Sequence, residues 1–587
     1  MKNLKLLAMA LLASLSFIAC DPNDDETTYN PNPTTNFSEN FGPSVTRDFI
    51  GQVVDLNNQP IANASVKIGT SAVQTDINGV FIVNAASVHE KFAYITASKA
   101  GYIDGSRSLV PTTGKNNIRI MLLPLETTVA IQSGETSTVI LDGATQVVFD
   151  GAFADENGNA YSGNVNVSMY HLKPSNGNLR DIMPGMLYAQ NAQGEERMLE
   201  TYGMLHVELR SSGGQKLQIA SGHTAEISVQ IDALQMASAP ATIPLWHFDE
   251  AGGYWKEDGV ATKQGNKYVG TVSHFSWWNC DAQFPTVTLS LTVLDENGNP
   301  LPGIYVSLVR ASQIGGAGAT SDSAGHIAGL IPANEMLVMN AYYYTVCGDQ
   351  ILATQTIGPF ASDTTLPDLI IDSPDVNSVA IEGNLVKCDN SNVTNGYVLF
   401  RSANNYISFS SVTNGSFSFN TIVCDSAPSD DFVLKGMDYD SLQETDSLHY
   451  TYTAPVTNVG NIAACTAISE FMSYQIDSNP VVFLVTQTSA VLSIEENWTW
   501  ISAYSPTQDG FTIYANTIIT PGVYTTSTFS IEGSIGYIYS GSVNTMVFTV
   551  SNVGGVGQYV DLTFNGTFTD ETGVHTLNGT AHIKRDN

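Results

Sequence analysis

Gly51-Gln-Val-Val-Asp55-Leu-Asn-Asn-Gln-Pro60, with Thr75-Asp-Ile-Asn-Gly79-Val-Phe81 a short way on, decides how this chain folds. Val53 and Val66 stand on flanking strands, and the Asn57-to-Pro60 stretch between them is made of turn formers. Asp76 to Gly79 reads as a hairpin turn, with Gly79 free to take a positive φ. Phe81 then points into the interior, and Lys99-Ala-Gly101-Tyr102 completes the pattern. Short β-rich runs separated by such turns predict a sandwich of two sheets.

The pattern recurs. Val293-Leu-Asp-Glu-Asn-Gly-Asn-Pro300 precedes Gly303-Ile-Tyr-Val306, and Thr320-Ser-Asp-Ser-Ala-Gly325 follows. A looser copy has Glu382-Gly-Asn-Leu-Val386, Thr394-Asn-Gly-Tyr-Val398 and Thr413-Asn-Gly-Ser-Phe417. In it Cys388 replaces the expected Asp and no Pro follows. These stretches resemble the carboxypeptidase regulatory-like (prealbumin-like) domain. The resemblance implies β-sandwiches over 46–124, 285–374 and, in divergent form, 375–466. Between the first two copies, 125–284 carries Pro184-Gly185, Tyr202-Gly-Met-Leu205, Pro244-Leu-Trp-His-Phe-Asp-Glu250 and a run from Tyr268 to Asp281. That region is similar to the ectodomains of astroprincin-type and cartilage-intermediate-layer-type proteins, which implies an extracellular β domain without catalysis. Residues 467–587 read as a further sandwich or small barrel, with strand candidates at Val481 to Val485, Phe511 to Tyr514 and Tyr559 to Phe564. The expected fold class is all-β: tandem prealbumin-like or immunoglobulin-like sandwiches on a flexible N-terminal lipid tether.

The tether comes from residues 1–45. Lys2 and Lys5 precede an apolar segment, Leu6 to Ala19, too short to span a bilayer. Phe17-Ile-Ala-Cys20 resembles a bacterial lipobox, with Phe where Leu is favoured. The resemblance implies cleavage over 1–20 and lipidation of Cys20. Residues 21–45 read as a flexible acidic linker led by Asp21, Asp24, Asp25 and Glu26. The acidic stretch resembles the surface-export signal of Bacteroidetes lipoproteins; a plain solvated linker is the other reading. The localisation expected is the outer membrane, facing the exterior, with the lipid as membrane anchor.

Composition narrows the function. The formal charge is −33, and loss of Lys2 and Lys5 takes it to about −35. A field of that sign repels nucleic acid and anionic membranes. Charged residues make up only 13% of the chain, so Ser, Thr, Asn and Gly carry its solubility. Five cysteines follow Cys20, none in a C-x-x-C pair. Outside the cytoplasm disulfides are permitted, and the odd count leaves one thiol over. Cys388, Cys424 and Cys465 fall in one segment and are the bridge candidates, with the pair left open.

Several constellations suggest chemistry. His247 and Glu250 form H-x-x-E, with His274 downstream, as in zinc carboxypeptidases. They lie in an apparent strand and hairpin, where positions three apart face opposite sides, which argues against a shared metal. Trp246, Trp255, Trp277 and Trp278 could stack on sugar rings if exposed; alternate residues such as Phe275 and Trp277 would otherwise fill the core. Asp155-Glu-Asn-Gly-Asn159 and Asp295-Glu-Asn-Gly-Asn299 gather oxygen ligands but lack a full calcium loop, and Asn-Gly is first a hairpin signal. Ser323, Thr364, Ser426, Ser441 and Ser447 follow aspartates in short stretches that resemble the Bacteroidetes O-glycosylation motif. No nucleophile elbow, Walker loop or dinucleotide motif is present.

These readings point to a non-enzymatic envelope lipoprotein displaying a string of β-sandwiches for adhesion or protein-partner binding, with no cofactor and no resident metal. The alternatives are a glycan-binding component of a polysaccharide-uptake system and a zinc metallopeptidase.

Overall fold

The computed structural model describes residues 36–587 apart from 311–316, 346–347, 372–375, 404–405, 425–430, 468–469, 478, 480–481, 505–509 and 534. Cys20, its lipobox and residues 21–35 of the linker lie outside these, as do Cys347 and Ser426. The chain is a series of β-sandwiches; its described helical elements are the short turns Phe37–Phe41, Leu179–Ile182 and Ala233–Gln235. None of the described helices is long and apolar enough to cross a membrane.

Three modules share one wiring. In the first, strand Ser44–Val54 is central to a three-stranded sheet, antiparallel to Val80–His89 and parallel to Lys115–Met121. Ser71–Gln74, Ser65–Ile68, Ala93–Ser98 and Gly105–Leu109 form the facing sheet. Thr286–Asp295 is likewise antiparallel to His326–Pro332 and parallel to Thr364–Thr365 and Leu369–Ile371. Val376–Lys387 pairs Ser416–Cys424 antiparallel and Val456–Ala464 parallel. Val53, Val66 and Phe81 sit in the first core with Phe49, Ile95 and Ile120.

The repeated polar residues build the turns. Asp55 Oδ1 accepts the amides of Asn57 and Gln59. Asp155 and Asp295 do the same with Asn157 and Asn159, and with Asn297 and Asn299. The oxygen-rich loops therefore spend these carboxylates on hairpin amides. In the third module the Asp position belongs to Lys387, not Cys388. The Lys387 amide donates to Ser391 O as the Asp55 amide donates to Gln59 O. Cys388, one residue on, is bonded to Cys465.

The middle region forms one extended thirteen-stranded sheet. Part of it wraps a core containing Val147, Phe149, Leu205, Ile227, Leu245 and Trp278. A second core holds Trp246, Trp255 and Trp277 and is shared with Phe92, Ile103 and Leu123 of the first module. In the C-terminal domain two sheets, over 471–584, close on Phe511, Phe529, Phe548 and Phe564.

The modules are docked around the first one rather than strung out. Asp76 Oδ1 accepts its own turn's amides, Asn78 and Val80, while Oδ2 accepts the hydroxyls of Tyr397 at 2.7 Å and Tyr439 at 3.1 Å. Asp322, at the equivalent turn, divides itself the same way: Oδ1 serves Ala324 and His326, and Oδ2 takes the Gly114 amide at 2.8 Å. Lys115 Nζ reaches Ser411 Oγ at 2.7 Å, and Arg310 pairs with Glu200 at 3.0 Å. A string was expected because each module's hairpins suffice for a sandwich; the second carboxylate oxygen of a turn aspartate has no signature that distinguishes docking from solvent.

Candidate functional site between the docked modules

Docking leaves a cavity of about 970 Å³ where the first, middle, second and third modules meet. Three arginines line it. Arg107 comes from strand Gly105–Leu109, Arg119 from Lys115–Met121 and Arg180 from the single helical turn Leu179–Ile182. The acidic side chain at their centre is Asp181, whose Oδ2 lies 3.1 Å from Arg119 Nε and whose Oδ1 lies 3.3 Å from Arg180 Nε. Arg119 also donates to Asn58 Oδ1 at 2.6 Å and Gln52 Oε1 at 3.3 Å. The Arg180 guanidinium lies 4.6 Å over the Tyr305 ring, a cation–π contact, and donates to Thr320 Oγ1. Arg107 donates to Met183 O at 3.5 Å. Burial pulls the Arg107 guanidinium down to about 10, opposed by Asp181, so it stays protonated at neutral pH. Met183, Met186, Leu291 and Leu330 give the cavity an apolar lining beside these charges. Chemically the cavity can hold an anion and exclude water from an apolar body; nothing in it resembles a nucleophile activated by a base.

The other predicted residues fall elsewhere. Trp246 and Trp255 are 0% exposed, Trp277 3% and Trp278 1%. They fill cores, the alternative weighed against stacking, and present no face to a sugar. Trp246 Nε1 donates to Asp281 O, and Trp278 Nε1 to His274 O. His247 meets His274, ring centroids 4.6 Å apart, and its Nδ1 lies 3.8 Å from Asp258. Burial and the neighbouring His274 push His247 down to about 4. Glu250 is exposed and faces Lys216, Asp104 and Glu208, so the H-x-x-E pair does not converge with His274. Among the described residues no group of three or more His, Cys, Asp or Glu side chains could hold a metal ion.

Ser323, Ser441 and Ser447 are exposed and Thr364 is half-buried. Ser323 Oγ accepts the Lys115 amide at the junction of the first and second modules. Cys388 bridges Cys465, Cys280 is a buried thiol, and Cys424 ends strand Ser416–Cys424.

Two features escaped the sequence reading. The cavity arginines, two on strands and one on a helical turn, belong to no motif; their one signal is rarity, in a chain with 23 basic against 56 acidic side chains. The second is an aromatic row on the C-terminal domain. Trp500 (38% exposed) lies directly opposite Tyr514 (37%) across two strands, and Trp498 is 6.4 Å from Tyr514. Tyr537 and Tyr539, stacked at 4.9 Å, lie on the edge strand of the same sheet or just beyond its end. Period-two spacing of Trp498 and Trp500 was visible, but which face they take depends on what covers the sheet.

With this geometry in view, the chain is similar in sequence to cartilage intermediate layer proteins. It is 25% identical over 230 residues to the mouse cartilage intermediate layer protein 2, covering 37% of this chain and 19% of that protein. It is 23% identical over 216 residues to the human cartilage intermediate layer protein 1, covering 35% and 18%. The matched stretch thus spans about a fifth of those relatives. No family model matches the chain. Among solved structures, the shaft pilin SpaA of Lactobacillus rhamnosus GG overlaps 31% of this chain and 99% of its own at 8% identity and a TM-score of 0.15. The major pilin subunit BcpA of Bacillus cereus overlaps 72% and 99% at 9% identity and a TM-score of 0.11. Likenesses this slight bear on neither the fold nor the role of this chain.

Proposed function

We propose that this chain is a non-enzymatic envelope lipoprotein, tethered through Cys20 at the outer membrane, whose docked sandwiches present the C-terminal domain to a surface partner. One observation carries the reading. Of eighteen large hydrophobic side chains exposed among the described residues, nine lie in 471–587, including Val523, Val543 and Val574 at 70–76%. Exposed apolar side chains gathered in one domain, Val523 and Val574 on its six-stranded sheet and Trp500, Tyr514 and Tyr537 on its five-stranded one, suit partner contact, and the domain sits at the opposite end of the chain from the tether. Similarity to cartilage intermediate layer proteins supports an extracellular setting. Protease treatment of intact cells tests the placement: digestion of wild type without lysis, altered by Cys20→Ala, is expected. Protection until lysis would overturn surface display. A V523S/V574S variant, folded and displayed, is expected to lose adhesion or partner capture.

A second reading, glycan capture, is favoured by Trp500 and Tyr514, whose exposed rings offer flat apolar faces beside polar edges, with half-buried Trp498 alongside. Retention of the protein on immobilised neutral polysaccharide, lost in W500A/Y514A, is its expected signature.

A further inference from the structure

We infer that the inter-module cavity binds an organic anion, its acidic group on Arg107 and its apolar body against Met183, Met186, Leu291 and Leu330. Four observations converge on this. Three arginines face one aspartate, so the cavity is positive inside a chain of charge −33. Asp181 is divided between Arg119 and Arg180, which also hold Asn58, Gln52, Thr320 and Tyr305. Arg107 is left with one 3.5 Å bond to a carbonyl oxygen, although a guanidinium carries five N–H donors in a fork matched to carboxylate, sulfonate or phosphate. The volume, about 970 Å³, suits an organic ligand rather than a few waters, and an apolar wall with a few placed polar groups is the usual make-up of such sites. A sugar without charge would leave Arg107 unanswered, and an inorganic anion would leave the wall unused. The inference does not depend on where the chain is displayed or what it adheres to.

The test is titration of the mature chain with 8-anilinonaphthalene-1-sulfonate, followed by fluorescence and calorimetry, with dodecanoate and sodium sulfate as competitors. One saturable site is expected, displaced by dodecanoate and not by sulfate at the same concentration. Arg107→Met should weaken the dye at least tenfold, while Arg585→Met, in the C-terminal domain, which contributes no residue to the cavity lining, should leave it unchanged. Met186→Trp narrows the cavity at its apolar lining without touching its charge and should also weaken the dye, so the matter is decided even if Arg107→Met fails to fold. Absence of a saturable site, equal affinity in both Arg107→Met and Met186→Trp, or displacement by sulfate alone would each overturn the inference.

Discussion

Asp76 shows how one side chain can serve a turn and an interface together. Its Oδ1 closes the hairpin of the first module and its Oδ2 is held by Tyr397 and Tyr439 of the third. Burial raises its pKa to about 6, against hydrogen bonds from Tyr397, Val80, Asn78 and Tyr439 that pull the other way. A carboxyl whose native pKa lies above its unfolded value of 3.8 gives its full stabilisation below that value, and the contribution fades as pH rises to about 6. The shift corresponds to something on the order of 3 kcal/mol. Asp76→Asn should therefore gain on wild type by roughly that amount between pH 4 and pH 7.5 in urea unfolding. Comparing the two proteins cancels the buried histidines: His206, pushed down to about 3 by burial, destabilises both alike as pH falls below its unfolded value. A constant difference between variant and wild type across that range would show that Asp76 does not titrate in the docked state.

At the scale of elements, each of the three like-wired modules depends on one glycine where its second hairpin backs onto its first strand. Gly79, Gly325 and Gly415 accept, through their carbonyls, the amides of Val53, Val293 and Leu385. Gly79 has φ +70°, and a Cβ there would lie 2.5 Å from Val53 O. Gly101 has φ +83° but open space around it. Both substitutions carry the strain of positive φ, so Gly79→Ala should cost at least about 1 kcal/mol more than Gly101→Ala in denaturant unfolding. Equal costs would mean the strand contact yields freely. In the third module the Cys388–Cys465 bridge joins the ends of its first and last strands across a sequence separation of 77. Loop-closure entropy makes such a bridge worth about 4 kcal/mol, so Cys465→Ser should lower the stability of that module by an amount of this order, and reduction should have no further effect on the variant.

The whole molecule is held by cores that cross module boundaries. Trp246, in the middle domain, packs in a core with Phe92 and Leu123 of the first module. Trp246→Ala should cost about 3–5 kcal/mol and lower the calorimetric transitions of both domains together. If only one domain's transition moved, the shared core would be energetically divided. The cavity belongs to this scale as well, because its walls come from four modules and no single one contains it. Its legibility in the sequence was nil for the same reason: Arg107, Arg119 and Arg180 become neighbours through docking, and single arginines on strands and turns otherwise read as solvated.

The sequence by itself determined the local architecture. Turn aspartates, the Asn-Gly and Asp-x-x-Gly signals and alternating β-branched residues specify hairpins through contacts a few residues apart, and those contacts are encoded where they are made. Hence the all-β class, the repeated module with Val53, Val66 and Phe81 in its core, and the strand placement of His247 were readable. Lys387 was missed at the third turn because hydrogen-bond register, not residue type, assigns that position. Which tryptophans are covered, which cysteine pairs with Cys388, and which arginines share a cavity were decided by the tertiary structure alone. Each is a long-range outcome, in which burial depends on the surface another module brings, and a side chain carries no local mark of the neighbour it will meet.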